Sequence, residues 1–265
     1  MMIKKASLSL LTLSLFTRSL SLFTRSLSLS SNNNIGNSKN SLLLSLFNSK
    51  NSLSLVSSQL SYCHTVLEQV LINKNDNHIV IDATCGNGWD SLKLADLCIS
   101  NTTGMLYCID INNDAIKRTF DRLKSKVNID DNIFNNRIHF FCQSHEYFPI
   151  EIKKETVSTI IYNLGFLPNS SNNNSNSPIT TTCADITVKS LSNAILLLKS
   201  GGTIIITAYV GHPGGLEENL AIEQLLVQLD KAIFRVTKNT TINQENAPIL
   251  YTIFRKKWPM KPLRE

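Results

Sequence analysis

The chain has 265 residues, a formal net charge of +6 and 42% hydrophobic residues. That length carries one domain of ordinary size plus an appendage, and no apolar run reaches the roughly 18 residues a membrane span needs, so no membrane partner is expected. Six of the 26 basic residues lie in the first sixty positions, which hold no acid, so the remainder balances 20 acids with as many bases; composition alone excludes a global basic face for nucleic acid.

Residues 1–60 are rich in Ser, Leu and Asn and repeat SLFTRSL in tandem over residues 14–27. Wound as a helix at about 100° per residue, the Leu and Phe positions gather on one side and Arg18 and Arg25 on the other. An acid-free amphipathic leader of this kind predicts an organellar transit peptide, with the mitochondrion expected and the plastid or cytoplasm as alternatives. The Ser/Asn tract that follows Asn32 reads as linker. The expected division is a leader over 1–60, a folded domain over 61–257 and a short tail over 258–265.

Within the domain, Ser61 to Leu71 has helical spacing and a Ser to cap it. Ile79 to Asp90 (IVIDATCGNGWD) then reads as a buried strand, a glycine turn and a helix starting near Trp89. Gly86 and Gly88 permit a sharp turn and close approach of a ligand, and the helix directs its free N–H groups at it. A second strand, Met105 to Ile109, ends in Asp110, where a doubly wound sheet places a carboxylate for a ribose diol. Asp114 to Val127 is a helix with Ala115, Ile116, Phe120 and Leu123 on one face. Ile138 to Cys142 is a strand leading into Gln143-Ser144-His145.

Val157 to Tyr162 is a further strand running into Asn163-Leu164-Gly165-Phe166-Leu167-Pro168. The Asn/Ser tract over 169–177 is an inserted solvated loop. Asp185 to Leu198 is a helix that Gly201-Gly202 is expected to end. Thr203 to Tyr209 is a β-branched strand, Gly211 to Gly215 a turn and Leu216 to Leu229 a helix. Phe234 to Thr237 and Ile249 to Phe254 form a terminal pair of strands. This alternation argues for a three-layer α/β sandwich.

The chemistry of the first turn favours one nucleoside cofactor over the alternative, NAD. A dinucleotide fold carries a third glycine in G-x-G-x-x-G to seat a pyrophosphate; here that position is Ser91. The turn instead opens with Asp82 and closes with Asn87 and Asp90. Acids and an amide repel a pyrophosphate but suit a sulfonium and an amino group, so Asp82, Gly86, Asn87, Gly88, Asp90 and Asp110 are read as a site for S-adenosyl-L-methionine (SAM). The six cysteines meet neither the zinc nor the disulfide spacing rules, and those in apolar patterns are read as small hydrophobes.

DATCGNGWD, the strand ending in IDIN, QSH at 143–145, NLGFLP at 163–168 and AYVGHPGG at 208–215 together resemble, in order, the rRNA-methylase-like family of SAM-dependent methyltransferases. The resemblance covers about residues 61–257; the leader and the insertion lie outside it. It implies a Rossmann-like class I methyltransferase domain on a mostly parallel seven-stranded sheet. It implies that Asn87, Asp90, Asp110, Asn112, Ser144 and His145 line the cofactor, with Asp110 on the ribose and Ser144 and His145 beside the adenine. Bacterial and plant members methylate the 5-aminomethyl group of 2-thiouridine at the tRNA wobble position, so the anticodon loop of tRNA is the implied partner. A homodimer is compatible with it.

Asn163-Leu164-Gly165-Phe166 is similar to the Asn/Asp-Pro-Pro-aromatic loop of amine methyltransferases, with Leu-Gly in place of Pro-Pro. By that likeness the Asn163 side-chain oxygen and the Leu164 carbonyl accept amine hydrogens, Gly165 permits close approach, and Phe166 offers a ring to the base. In a second cluster, Gly214 and Gly215 would fold a loop over the substrate, Glu217 fits the first turn of the next helix, and His212 either contacts the anticodon loop or takes a proton. A local basic strip is expected from Lys189, Arg235, Lys238, Arg255, Lys256 and Lys257. The alternatives are an rRNA or small-molecule N- or O-methyltransferase and a non-catalytic cofactor-binding module.

Overall fold

The computed structural model describes residues 59–71, 77–100, 103–165 and 182–257. Residues 1–58 of the expected leader, Phe166, the inserted loop over 169–177 and the tail over 258–265 lie outside the described residues. The strands are β1 (Ile79–Asp82), β2 (Met105–Asp110), β3 (Ile138–Cys142), β4 (Val157–Leu164), β5 (Leu198–Ala208), β6 (Phe234–Asn239) and β7 (Ile249–Arg255). The helices are α1 (Gln59–Val70), α2 (Trp89–Cys98), α3 (Asn113–Lys126), α4 (Asp131–Arg137), α5 (Ala184–Leu197) and α6 (Gly215–Val227).

The strands form one seven-stranded sheet in the order β3-β2-β1-β4-β5-β7-β6. All neighbouring pairs from β3 to β5 are parallel, and β7 is antiparallel to both β5 and β6. The parallel strands are near-continuous apolar runs because both faces are covered. Alternate residues divide between two cores. Val80, Leu106, Cys108, Ile161 and Ile205 meet Cys63 and Leu67 of α1, Leu94 and Cys98 of α2 and Leu123 of α3. Ile81, Ile109, Ile160, Ile204 and Ile206 meet Leu191 and Ala194 of α5 and Ile222 of α6. The expected class I sandwich is the observed one.

The sequence reading departs from the structure in four places. α1 begins at Gln59, which puts Ser61 inside the helix rather than at its cap. α4 was not anticipated; it is a two-turn element whose N-cap, Asp130, accepts from Asn132 N at 2.7 Å. Strand β4 continues through Asn163 and Leu164, because both pair with β5 opposite Thr207 and Ala208. Gly201-Gly202 does not terminate the preceding helix: α5 stops at Leu197, and the glycines lie inside β5, where the register slips between Val157 and Thr159. Gly201 has φ +80°, and a Cβ on Gly202 would lie 2.9 Å from the Lys199 and Val157 carbonyls. The pair makes a bulge, a standard use of glycine within a strand.

Candidate active site

The C-terminal ends of β1, β2 and β4 open into a cavity of about 490 Å³, within the usual range for small-molecule sites. The turn after β1 supplies Cys85, Gly86 and Asn87, and α2 supplies Trp89 and Asp90. The end of β2 and the turn beyond it supply Asp110, Ile111 and Asn112, and the turn after β3 supplies Ser144 and His145. Asn163, Gly165 and Tyr209 close the far side.

Asp110 is the pivot. Its Oδ2 accepts from Gly86 N at 2.9 Å and its Oδ1 from Asn112 N at 2.8 Å. The carboxylate thus ties the glycine turn to the end of β2 and keeps lone pairs for a ligand. Burial raises its pKa, and the two N–H groups and the Arg118 charge partly offset that rise. Asn112 also caps α3, its side chain accepting from Asp114 N at 2.9 Å.

Gly86 (φ +52°) and Gly88 (φ +77°) both hold left-handed conformations, which favour glycine. A Cβ on Gly88 would meet the Thr119 backbone at 2.9 Å, so α3 packs directly on the turn. Arg122 of α3 donates from Nε to the Asn87 carbonyl at 2.6 Å, and its guanidinium lies 3.5 Å over the Trp89 ring. This brace holds a half-exposed Trp at the rim.

Asp90 and Asn163 form the other wall. Asn163 Nδ2 donates to Asp90 Oδ2 at 3.3 Å. A carboxylate only accepts, so the amide nitrogen faces Asp90 and the side-chain oxygen is left as the acceptor. The Asn163 backbone N–H donates to Thr84 Oγ1 at 2.7 Å, locking β4 to the β1 turn. His64 of α1 donates from Nε2 to Asp90 Oδ1 at 2.8 Å. Burial, then the charge of Asp90, raises the Tyr209 phenol, and a hydrogen bond with Asn163 opposes the rise.

His145 is 7% exposed. Burial holds its imidazole down to about 4, so the ring is neutral at physiological pH. Its Nε2 is buried with no hydrogen-bond partner among the described residues. The Ser190 hydroxyl donates to the His145 carbonyl at 2.6 Å, and Ser190 is itself bonded to the Tyr162 hydroxyl at 2.8 Å, which anchors the turn to α5 and β4.

Four expected site residues occupy other places. Asp82 is fully buried beneath the turn and off the cavity wall; it accepts from Ser91 Oγ at 2.6 Å and from Thr84 N at 3.3 Å. Burial, then the nearby Asp90 charge, raises its carboxyl above the usual carboxylate range. It shapes the turn rather than presenting a charge to a ligand. Gly88 is likewise absent from the wall, because it is pressed on Thr119.

Leu164 is buried, and its carbonyl already accepts from Tyr209 N at 3.3 Å. His212 is off the wall: its Nδ1 donates to the Pro213 carbonyl at 2.9 Å and its ring packs on Gly215. Phe166 lies outside the described residues. At Gly215 a Cβ would lie 2.3 Å from the Tyr209 carbonyl, so this glycine lets the loop pack closely on the end of β5. Glu217 does stand in the first turn of α6.

His64, Thr84, Thr182, Cys183 and Ile186 were not anticipated. Thr84 was readable inside the DATCGNG string, whereas Thr182 follows the insertion without a motif. Its hydroxyl donates at 2.7 Å to Glu218, which is 1% exposed. The expected basic strip does not gather at the cavity. Because β7 runs antiparallel, Arg255 lies beside the start of β5, at the opposite end of the sheet. Arg255 and Lys189 are engaged by Glu155 and Glu146, and Lys238 by Glu223.

Comparison with known proteins places the chain. The family model described as "Putative rRNA methylase" matches residues 106–255. The chain belongs to this family of SAM-dependent methyltransferases. A curated relative of the family, the "tRNA (mnm(5)s(2)U34)-methyltransferase, chloroplastic" of Arabidopsis thaliana, is 33% identical over 200 residues, covering 73% of this chain and 68% of its own. A crystal structure described as that of a "putative rRNA-methylase" from Clostridium thermocellum superposes with a TM-score of 0.63 at 29% identity, covering 76% of this chain and 98% of that one. A Streptococcus mutans protein described as "a putative methyltransferase" and solved in complex with SAH gives 0.61 at 25% identity, covering 76% and 99%.

Proposed function

We propose that this methyltransferase transfers a methyl group from SAM to the 5-aminomethyl nitrogen of 2-thiouridine at the tRNA wobble position. The observation that carries the reading is Asn163: its amide nitrogen is held by Asp90 on the cavity wall, which leaves a carbonyl oxygen as an acceptor for amine hydrogens. The name of the Arabidopsis relative states the same modification for that protein.

The wall residues fit the donor. Asp110, fixed through both oxygens at the end of β2, takes the ribose hydroxyls. The buried Nε2 of neutral His145, without a partner among the described residues, suits the edge of an adenine ring, with Ser144 beside it. Gly86, Asn87 and Asn112 complete that side, and Asp90 stands with Asn163 on the other wall. When bound, SAM supplies an electrophilic methyl on a positively charged sulfur.

The chain's own residues receive a free amine and aim its lone pair. A primary alkylamine resembles lysine, with an unperturbed pKa of about 10.4, and arrives protonated at neutral pH. It sheds one proton to water before attack, and a partly apolar cavity favours the uncharged form; the amine leaves methylated, as a secondary ammonium, with SAH as the other product. The Asn163 oxygen accepts one of the remaining N–H groups. Gly165 lets the substrate approach closely beside Tyr209; a Cβ at Gly165 would lie 3.3 Å from that ring. Orientation rather than a strong base supplies the rate. A wobble base is single-stranded, so presenting it costs less than opening a duplex.

The leader supports an organellar site of action, mitochondrial with the plastid as the alternative; imaging of a fluorescent fusion separates them. Mass spectrometry of organellar tRNA nucleosides from cells lacking the gene tests the substrate. Accumulation of unmethylated 5-aminomethyl-2-thiouridine is expected, and an unchanged nucleoside profile would overturn the reading in favour of a small-molecule or rRNA acceptor.

A further inference from the structure

We infer that His64 is a positioning residue for methyl transfer, acting through Asp90 on Asn163; this rests on the amine-methylating reading above. His64 is not on the cavity wall. Its Nε2 nevertheless donates to Asp90 Oδ1 at 2.8 Å, while Asp90 Oδ2 accepts from Asn163 Nδ2 at 3.3 Å. One carboxylate is therefore shared between α1 and β4, one oxygen to each.

The sharing sets the direction of Asn163. A carboxylate with both oxygens engaged cannot swing without breaking a bond, so the amide nitrogen stays on the Asp90 side and the oxygen on the other. Without the His64 N–H, Asp90 is free to turn, and its hold on the Asn163 amide nitrogen loosens. Lys93, three residues along α2, does not substitute, because Glu68 holds it at 2.5 Å. Cys63, the neighbour of His64, is 1% exposed and Leu67 is fully buried, so α1 is packed and His64 is held against α2 by more than its own bond.

The test uses the full chain, SAM and tRNA bearing 5-aminomethyl-2-thiouridine. His64→Ala is expected to lower kcat about tenfold or more, with tRNA KM and SAH affinity within about threefold of wild type, since misorientation costs rate rather than binding. His64→Gln, whose amide N–H reaches about as far as Nε2, is expected to recover most of the loss. An unchanged kcat in His64→Ala, a glutamine variant as slow as the alanine one, or a loss matched by weaker SAH binding would overturn the inference.

A second readout needs no acceptor. In the SAH complex, the side-chain amide NMR signal of Asn163, assigned by its disappearance in Asn163→Ala, shifts in His64→Ala and returns in His64→Gln. If it does not move, the link from His64 to Asn163 is refuted whatever the acceptor proves to be. If it moves while wild type leaves the tRNA unmethylated, the wobble substrate fails and the positioning role stands.

Discussion

At the scale of single residues, the site divides into groups that touch a ligand and groups that hold them. Asn163 is in the first class. Replacing it with Ala removes the amine acceptor but leaves Asp110 and His145 untouched. We expect kcat to fall by roughly 10²-fold, the cost of losing alignment at the reacting centre, with SAH affinity by calorimetry near that of wild type. Comparable losses in both would reassign Asn163 to the donor half of the cavity. Asp82 is in the second class, and sequence alone could not say so. It belongs to the same acid-rich string as Asp90, and only the fold shows that its side chain turns inward to Ser91. Asp110 was legible because a strand end dictates its place, whereas His64 was not, because its partner lies 26 residues away with no spacing rule between them.

At the scale of elements, the turn between β1 and α2 is defined by contact with α3. Gly88→Ala would force a Cβ onto the Thr119 backbone at φ +77°. The combined strain and overpacking cost roughly 2–4 kcal/mol, measurable as a lower urea midpoint. A change below about 0.5 kcal/mol, the range of ordinary surface substitutions, would mean that α3 does not bear on the turn.

The turn after β3 carries a pH dependence of its own. The fold holds His145 neutral down to about 4, while an unfolded chain protonates it below its ordinary value of 6.5. The unfolded state binds more protons in that window, so the His145 contribution is intact above 6.5 and is lost as pH falls toward 4. His145→Gln should flatten this part of the stability profile in denaturant titrations. An unaltered profile would contradict the buried, neutral imidazole. Most strands and helices were legible from periodicity to within a few residues. The boundaries that failed, at β4 and β5, were set by pairing across the sheet, which local pattern does not contain.

At the scale of the whole molecule, the order β3-β2-β1-β4-β5-β7-β6 puts every reactive end of the parallel strands on one side. It also explains why the basic residue of β7 is misplaced for the cavity: an antiparallel last strand carries Arg255 to the other end of the sheet. That reversal follows from topology, and a sequence shows only two adjacent apolar runs. Family membership was legible because five short segments recur in order, each tied to a strand end or the turn beyond it. The substrate is the least local property, since it depends on what reaches the cavity that Trp89 and Tyr209 help to line. The most direct measurement is reaction of the purified protein with SAM and tRNA carrying 5-aminomethyl-2-thiouridine, followed by mass spectrometry of the digested nucleosides. Gain of one methyl group on that nucleoside, abolished in Asp110→Ala, is the predicted result; an unmodified nucleoside in the presence of protein that demonstrably binds SAH would contradict the account.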